Sequence, residues 1–216
     1  MTKVAIIGAS GFVGSNLVKE ATDRGLEVTA IARNVEKINA ENINKVAVDV
    51  NQVNELSEAL KGHDVVISAF NAGWTNPNLY DDFIKGSESI QQAVKQAGVQ
   101  RMIVVGGAGS LYANEKEQLV DSPDFPADIK PGATAARDYL NTLKEEKELD
   151  WVFFSPAIEM HPGVTVGRTG KYRLGKDQPV FDENMVSKLS PEDVAVVLID
   201  EIEKPKHHKE RFTAAY

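Results

Sequence analysis

The sequence predicts an α/β fold in which helices cover both faces of a doubly wound parallel sheet. Short apolar runs rich in β-branched residues alternate with stretches of helical periodicity, a pattern typical of buried parallel strands joined by helices. Glycine-rich turns follow the first and the fifth of these runs. The length of 216 residues suits one well-buried core. We therefore expect a single domain spanning residues 1–216.

The composition excludes several classes of protein. With 24 basic and 32 acidic residues, the net charge is −8, so nucleic acid would be repelled. The chain has no cysteine, which removes disulfides, thiolate catalysis and cysteine-ligated zinc, and we expect no metal site. No apolar run approaches the roughly 18 residues of a membrane span, and the early first strand leaves no room for a signal peptide. We expect a cytoplasmic protein that binds neither nucleic acid nor membrane.

The most informative stretch is the first strand with the turn that follows it. Val4–Ile7 runs into three glycines at three-residue spacing, and a helical pattern begins at once. The first glycine permits a sharp turn, the second a close approach of a pyrophosphate, and the third close packing of helix and sheet. Free N–H groups at the helix start would hold the phosphates. The sequence therefore predicts a dinucleotide site that includes Gly8, Ser10, Gly11, Phe12, Val13 and Gly14.

The second predicted strand, Glu27–Ala32, ends at a basic residue. In NAD sites a carboxylate at this end accepts hydrogen bonds from the adenosine ribose, whereas this chain has Arg33. A guanidinium would pair with a 2′-phosphate and stack on adenine, which favours NADPH over NADH. Ser10 could contact the same phosphate. The alternative is that Arg33 is a solvated loop charge.

The third and fourth predicted strands also end in candidate site residues. Lys45–Val48 leads into Asp49 and Val50, and the alternative role of Asp49 is to cap the following helix over residues 53–60. Val65–Ser68 leads into small residues that would let a ribose lie against the backbone. The predicted cofactor contacts there are Ala69, Phe70 and Asn71. Trp74 could either stack on a flat substrate or close the core.

The fifth predicted strand, Arg101–Val105, follows a helix over Leu79–Ala97 that ends at Gly98. It opens into a second glycine-rich segment, in which Gly106 and Gly107 would permit close approach of a nicotinamide. The alternative is an ordinary flexible loop. The polar segment 114–131 is expected to be a surface excursion and is a candidate lid.

The remaining elements complete the alternation. They are a helix over Thr134–Lys147, a sixth strand over Trp151–Phe154, a small hairpin over 167–175, a capped helix from Ser190, and a last edge strand over Arg211–Tyr216. Leaving the sixth strand on the ligand side are the predicted cofactor contacts Pro156, Ala157 and Ile158. We expect segments 106–133 and 156–190 to form the substrate side.

The chain lacks the Tyr-x-x-x-Lys pair that relays a proton in many short-chain dehydrogenases. Tyr112 and Lys116 have the spacing but lie in a loop directly after Ser110. Tyr139 lies on a predicted helix, but Lys144 is about 140 degrees round that helix from it. Flavins and quinones accept a hydride into a delocalised ring that solvent can protonate. The sequence therefore favours such an acceptor.

Together these residues resemble the atypical short-chain dehydrogenase/reductases of the NmrA-like, NAD(P)H-binding group, and especially the NADH-flavin reductases related to biliverdin reductase B. The matching motifs are G-A-S-G-F-V-G from Gly8, Arg33, Asp49, the segments Gly106–Ser110 and Ser155–Ile158, and the 169–175 run. The resemblance implies a Rossmann-like fold, with the Asp49 carboxylate and the next N–H on adenine. Biliverdin reductase B has a polar Ser and His beside its substrate where this chain has glycine or alanine, so we expect no bilin reduction.

The leading hypothesis is an NADPH-dependent oxidoreductase that passes a hydride to a small flavin-like or quinone-like acceptor, so that flavin would be a substrate. The candidate substrate-side residues are Trp74, Ser110, Tyr112 and His161, the last of which could instead be solvated. One alternative is a non-catalytic, NADP-binding redox sensor like the NmrA-like regulators. The other is a sugar-nucleotide epimerase, which the missing Tyr-Lys pair disfavours. The oligomeric state stays open between a monomer and a weak dimer.

Overall fold

Strands and helices alternate along most of the chain, and the computed structural model describes all residues from 1 to 216. The strands are β1 (Lys3–Ile7), β2 (Glu27–Ala32), β3 (Asn44–Ala47), β4 (Val65–Ser68), β5 (Arg101–Val105), β6 (Asp150–Ser155), β7 (Arg173–Gly175) and β8 (Glu210–Ala215). The helices are α1 (Phe12–Asp23), α2 (Val53–Leu60), α3 (Leu79–Ala97), α4 (Lys130–Lys144) and α5 (Pro191–Glu203).

One sheet contains all eight strands, in the order β3-β2-β1-β4-β5-β6-β8-β7. Neighbouring strands pair in parallel except β7, which is antiparallel to β8. The first six strands follow the order of dinucleotide-binding folds, in which ligands bind where the order reverses, here between β1 and β4. The predicted Rossmann-like, doubly wound α/β fold is confirmed.

Two hydrophobic layers cover the two faces of this sheet. One layer of 25 buried residues includes Ile6, Leu17 of α1 and Phe212. The other, of 23 buried residues, includes Ile7 and Tyr139 of α4. Successive residues of a strand point to opposite faces, so Ile6 and Ile7 serve different layers. This two-sided burial explains why β1 lacks polar alternation.

Three sequence predictions differ from the structure. Helix α4 spans Lys130–Lys144 rather than Thr134–Lys147, and it begins earlier because Pro131 fits the first turn of a helix. The 167–175 segment is not a hairpin, since only its last three residues form a strand and their partner is β8. The predicted edge strand Arg211–Tyr216 is wrong in its position. Strand β8 lies between β6 and β7, and all of its residues except Glu210 are buried.

Segment 114–131 is a surface excursion with little regular structure. It contains one short 3-10 helix over Leu119–Asp121 before α4 begins, and most of its side chains are exposed or half-buried. Its closure over a ligand stays a prediction. None of the five helices combines the length and the apolar character needed to cross a membrane.

Candidate active site

The glycine turn after β1 is held by close backbone contacts. Gly8 has a φ of 77°, and a Cβ there would lie 2.5 Å from the carbonyl oxygen of Ala69. A Cβ at Gly14 would lie 2.1 Å from the carbonyl oxygen of Gly8. Gly11 is less constrained, because its Cβ would lie 3.2 Å from that same oxygen. Gly8 and Gly14 therefore permit the strand, turn and helix to meet without steric conflict.

The start of α1 presents unpaired donors at this turn. Gly11 is the N-cap and supplies no side-chain cap, and the N–H groups of Phe12 and Val13 have no acceptor within the protein. Unpaired donors at the positive end of a helix dipole form a favourable site for an anionic phosphate. The cradle, by which we mean residues 8–14, thus fits the pyrophosphate of a dinucleotide.

Arg33 lies at the same edge of the sheet as the cradle. The N–H groups of Gly8 and Ala9 donate to the carbonyl oxygen of Ile31 at 3.0 and 3.2 Å, which joins the cradle to the end of β2. Arg33 is exposed and makes no ion pair or side-chain hydrogen bond, while Asn34 accepts a hydrogen bond from the Glu36 N–H at 3.1 Å. Ser10 is half-buried within the turn.

Asp49 and Val50 follow β3 at the same edge. The Asp49 Oδ1 accepts hydrogen bonds from the backbone N–H and the side-chain amide of Asn51 at 2.9 and 3.0 Å. The N-cap of α2 is Gln52, so the alternative role of Asp49 as a helix cap is wrong. The second Asp49 oxygen and the Val50 N–H make no hydrogen bond within the protein.

The segment after β4 passes directly beside the cradle. Ala69 donates its N–H to the Ile7 carbonyl at 2.9 Å. The half-buried Phe70 ring stacks on Phe83 with ring centroids 6.0 Å apart. Asn71 accepts the Gly73 N–H at 2.7 Å and thereby shapes the loop. This segment therefore forms the wall of the crevice opposite β2.

The two segments that follow β5 and β6 differ from expectation in detail. A Cβ at Gly106 would lie 2.0 Å from the Phe153 ring, so core packing requires this glycine, whereas at Gly107 the nearest atom would be 3.8 Å away. Gly106 therefore has a packing role in the core, and its contact with a nicotinamide stays a prediction. Pro156 and Ala157 are buried, while Ile158 is 46% exposed. Ile158 is thus the accessible side chain of its segment.

The sequence profile of the NAD(P)H-binding family matches residues 8–205. The chain belongs to the NAD(P)H-binding family. Among its relatives is the uncharacterised protein YwnB of Bacillus subtilis, 37% identical over 213 residues, which cover 98% of this chain and 97% of that protein.

Two solved structures of similar proteins share the family fold along the whole chain. A proposed epimerase from Bacteroides thetaiotaomicron is 51% identical with a TM-score of 0.91, and the match covers 100% of this chain and 97% of that one. A proposed NADH-flavin reductase from Streptococcus pneumoniae is 39% identical with a TM-score of 0.88, covering 100% and 99% respectively. The atypical short-chain dehydrogenase/reductase character expected from the sequence is confirmed. Membership of an NAD(P)H-binding family also supports a nicotinamide cofactor.

The four candidate substrate-side residues of this family member occupy different environments. Trp74 is 59% exposed, so it does not close the core, and its ring lies 2.9 Å from where a Cβ of Gly132 would be. His161 is exposed and its Nδ1 accepts the Gly163 N–H at 3.1 Å. Both remain accessible to a ligand.

Tyr112 and Ser110 are less exposed than Trp74 and His161. The Tyr112 ring is half-buried, with the Arg211 guanidinium 5.7 Å from its centroid, and it lines a cleft of about 590 Å³ with the loop 175–180. Ser110 is 1% exposed and donates its hydroxyl proton to the Gly107 carbonyl at 2.9 Å. That buried hydroxyl is poorly placed to contact an acceptor.

Neither tyrosine considered for a proton relay is paired with a lysine. Tyr139 is buried and donates to the Gln91 side-chain oxygen at 3.2 Å, and burial raises the pKa of its hydroxyl. Lys144 donates to Asn141 on the exposed side of α4. Tyr112 and Lys116 lie outside any helix. The Tyr-Lys geometry of many short-chain dehydrogenases is therefore not formed here.

Sequence reasoning missed the Asp193 carboxylate, which holds residues 169–170 and the last residue of the chain against α5. Asp193 is fully buried and accepts hydrogen bonds from the Thr169 N–H at 2.9 Å, the Gly170 N–H at 2.8 Å and the Tyr216 hydroxyl at 2.7 Å. Burial raises its pKa, but these bonds and that of the Thr169 hydroxyl outweigh burial, so the pKa lies below its ordinary value. The predicted capped helix start is confirmed, because the Ser190 hydroxyl accepts a hydrogen bond from the Asp193 N–H at 3.1 Å. No motif signalled the partners of Asp193.

Proposed function

We propose that this protein is an NADPH-dependent oxidoreductase that transfers a hydride to a flavin-like or quinone-like acceptor. The observation that carries the proposal is the pairing of a complete phosphate cradle with a substrate side that has no Tyr-Lys proton relay. The flavin reductase assigned in Streptococcus pneumoniae supports this acceptor class by analogy.

The preference for NADPH is supported by the position of Arg33. Its exposed guanidinium follows β2, next to the cradle, and no protein carboxylate neutralises it. A free guanidinium forms charge-assisted, bidentate hydrogen bonds with a phosphate. A 2′-phosphate beside Ser10 would therefore be bound there, whereas NADH offers no such group.

The bound cofactor would supply the hydride, and solvent would supply the proton that completes reduction of the acceptor. The protein's part is to bind and to orient. The N–H groups of Phe12 and Val13 would hold the phosphates, Gly107 and Ile158 would border the nicotinamide, and the exposed Trp74 indole would offer a flat apolar surface to the acceptor. Positioning of two rings at short range is itself a large source of rate acceleration.

Steady-state oxidation of NADPH with FMN, FAD and menadione tests this proposal. We expect turnover with at least one of the three and a higher KM for NADH than for NADPH. A Trp74→Ala variant should raise the KM of the acceptor without changing that of the cofactor. Lack of NADPH oxidation with all three acceptors would contradict the proposal.

A non-catalytic NADP sensor is the second candidate, because the Ser110 and Tyr139 hydroxyls are buried and no tyrosine considered for a proton relay is paired with a lysine. Such a sensor would bind oxidised and reduced cofactor tightly and without turnover, which calorimetry with both forms distinguishes. An epimerase working through a Tyr-Lys pair would need a tyrosine that this chain lacks at the site.

A further inference from the structure

Two buried serine hydroxyls meet between the ends of β5 and β6. Ser110 is 1% exposed and Ser155 is fully buried, and their oxygens lie 2.8 Å apart. Ser110 donates its single proton to the Gly107 carbonyl at 2.9 Å. Since a hydroxyl has only one proton to donate, Ser155 must donate to Ser110. The hydrogen bonds therefore run in one direction, from Ser155 through Ser110 to Gly107.

The backbone of Ser110 is fixed as firmly as its side chain. Its carbonyl oxygen accepts hydrogen bonds from Arg211 Nη1 at 2.7 Å and from the Gln118 amide at 2.8 Å, which occupies both lone pairs. Arg211 is 6% exposed, and Asp177 holds it through contacts of 2.7 and 3.1 Å. Strand β8 through Arg211, the loop at Gln118 and the end of β6 through Ser155 thus all contact Ser110.

The serine pair lies where the sheet ladder ends. The last backbone hydrogen bond between the two segments joins the Gly106 N–H to the Phe154 carbonyl at 2.8 Å. Beyond it the chains continue as Gly107 on one side and Pro156–Ile158 on the other. The hydrogen bond between the Ser155 and Ser110 hydroxyls joins these two segments beyond the end of the sheet. It therefore sets the spacing of the two segments assigned above to the borders of the nicotinamide.

We propose that Ser155 and Ser110 are positioning residues for the reactive ring. They fix the Gly107 peptide and the start of the Pro156–Ile158 segment, and neither touches a reacting atom. This inference rests on the proposed function, because it assumes that a nicotinamide lies between these segments. Rates of transfer between two rings fall steeply when the rings lose their relative orientation.

The test compares Ser155→Ala with Ser57→Ala, a matched control at a buried serine of α2 that is 5% exposed. The first readout is the fluorescence anisotropy of NADPH at saturating protein, which reports the rotational freedom of the ring and needs no acceptor. The second is kcat with FMN or menadione. For Ser155→Ala we expect lower anisotropy, a Kd for NADPH changed less than about twofold, and a kcat lowered roughly tenfold. Ser57→Ala should match the wild type in all three.

Three outcomes would overturn the inference. The first is an anisotropy and a kcat in Ser155→Ala that equal those of the wild type. The second is a decrease in anisotropy and kcat that Ser57→Ala shows to the same extent. The third is a decrease in kcat accompanied by an equally large decrease in NADPH affinity and by a lower Tm. If Ser155→Ala does not fold, Ser110→Ala removes the same bond from its other partner, and failure of both variants to fold would make the pair purely structural. If the wild type binds NADPH but reduces no acceptor, the proposed function fails while the anisotropy comparison still decides the role of the serines.

Discussion

The cradle and the substrate side are held in place by different kinds of contact. In the cradle, backbone groups determine the geometry: Gly14 packs against the Gly8 carbonyl of the same turn, and Gly8 packs against the Ala69 carbonyl of the neighbouring strand end. On the substrate side, charged side chains join distant segments, and Arg211 reaches the Ser110 carbonyl across 101 residues of sequence. Backbone constraints of this kind are visible in the sequence as a fixed spacing of glycines. Ion pairs and hydrogen bonds between distant side chains produce no such motif. The comparison teaches that the glycine spacing of the cradle is visible in the sequence, whereas the contacts of the proposed substrate side appear only in the tertiary structure.

The largest expected effect comes from closing the cradle with one methyl group. Gly14→Ala places a Cβ 2.1 Å from the Gly8 carbonyl oxygen, so the backbone must move. We expect a loss of about 3 kcal/mol of stability, a Tm lowered by roughly 5–10 °C, and at least about tenfold weaker NADPH binding, because the phosphate donors shift. Differential scanning calorimetry and titration calorimetry measure these changes. Gly107→Ala, with its nearest atom at 3.8 Å, is the control for stability alone. An unchanged Tm in Gly14→Ala would contradict the steric role of Gly14.

A tether on the substrate side should give a smaller and separable effect. Asp193→Asn replaces an acceptor of several hydrogen bonds with a group that also presents N–H donors to Thr169 and Gly170. We expect a loss of about 2 kcal/mol in the free energy of unfolding and a higher KM for the acceptor, with NADPH affinity nearly unchanged. Denaturant titration and steady-state kinetics measure both. The control is Glu203→Gln, which removes a partly exposed charge from the same helix and should cost less than about 1 kcal/mol. Equal loss of NADPH affinity would show that the two regions are not independent.

Removal of Arg33 should affect binding and leave stability intact. Under the proposed function, Arg33→Ala would remove charge-assisted bonds to a 2′-phosphate, so we expect NADPH binding to weaken by roughly tenfold or more and NADH binding to change little. The Tm should not move, because Arg33 holds no other side chain. Lys37→Ala, at an exposed basic residue in the short 3-10 helix that follows, is the matched control. Equal weakening of both cofactors would refute the role of Arg33.

The smallest effect expected is in the dependence of stability on pH. The pKa of Asp193 is lower in the folded protein than its ordinary value of 3.8. Its stabilisation is therefore fully present above that value and is lost as the pH falls through the lower folded value. The pKa of Glu146 falls to about 2, because hydrogen bonds from the Glu148 N–H, Gln91 and Lys95 outweigh burial, which raises it.

Denaturant titrations over a range of acidic pH measure this dependence. Asp193→Asn should lose less stability than the wild type as the pH falls below about 4, because its side chain does not titrate. Glu146→Gln should reduce the loss of stability at still lower pH, down to about pH 2. Parallel curves for the wild type and Asp193→Asn would exclude a depressed pKa at that aspartate.

Most of the fold was predictable from the sequence because its signals are local. The buried run of β1, the glycine spacing and the helix stop at Gly98 each act within a few residues. The position of β8 was not predictable, since the partner of an apolar strand depends on the packing of the whole sheet. Only three-dimensional structure reveals that β7 covers its outer edge.

The candidate site was predicted unevenly for the same reason. The cradle and the strand ends lie together as expected, because parallel strands bring their carboxyl ends to one edge. At Gly106 the sequence predicts a cofactor contact but does not show that the Phe153 ring fills the space beside this glycine. Ser110 was assigned to the substrate although it faces Ser155. A small residue or a hydroxyl in a loop carries no information about a partner that arrives from elsewhere in the chain.

The isolation of Arg33 has a consequence for how this protein can change over evolutionary time. A side chain that supports nothing else can be replaced without a compensating substitution elsewhere. If Arg33 binds the 2′-phosphate as proposed, a single substitution at this position would be enough to change the preference between NADPH and NADH, while Gly8 and Gly14 stay fixed by the backbone they accommodate.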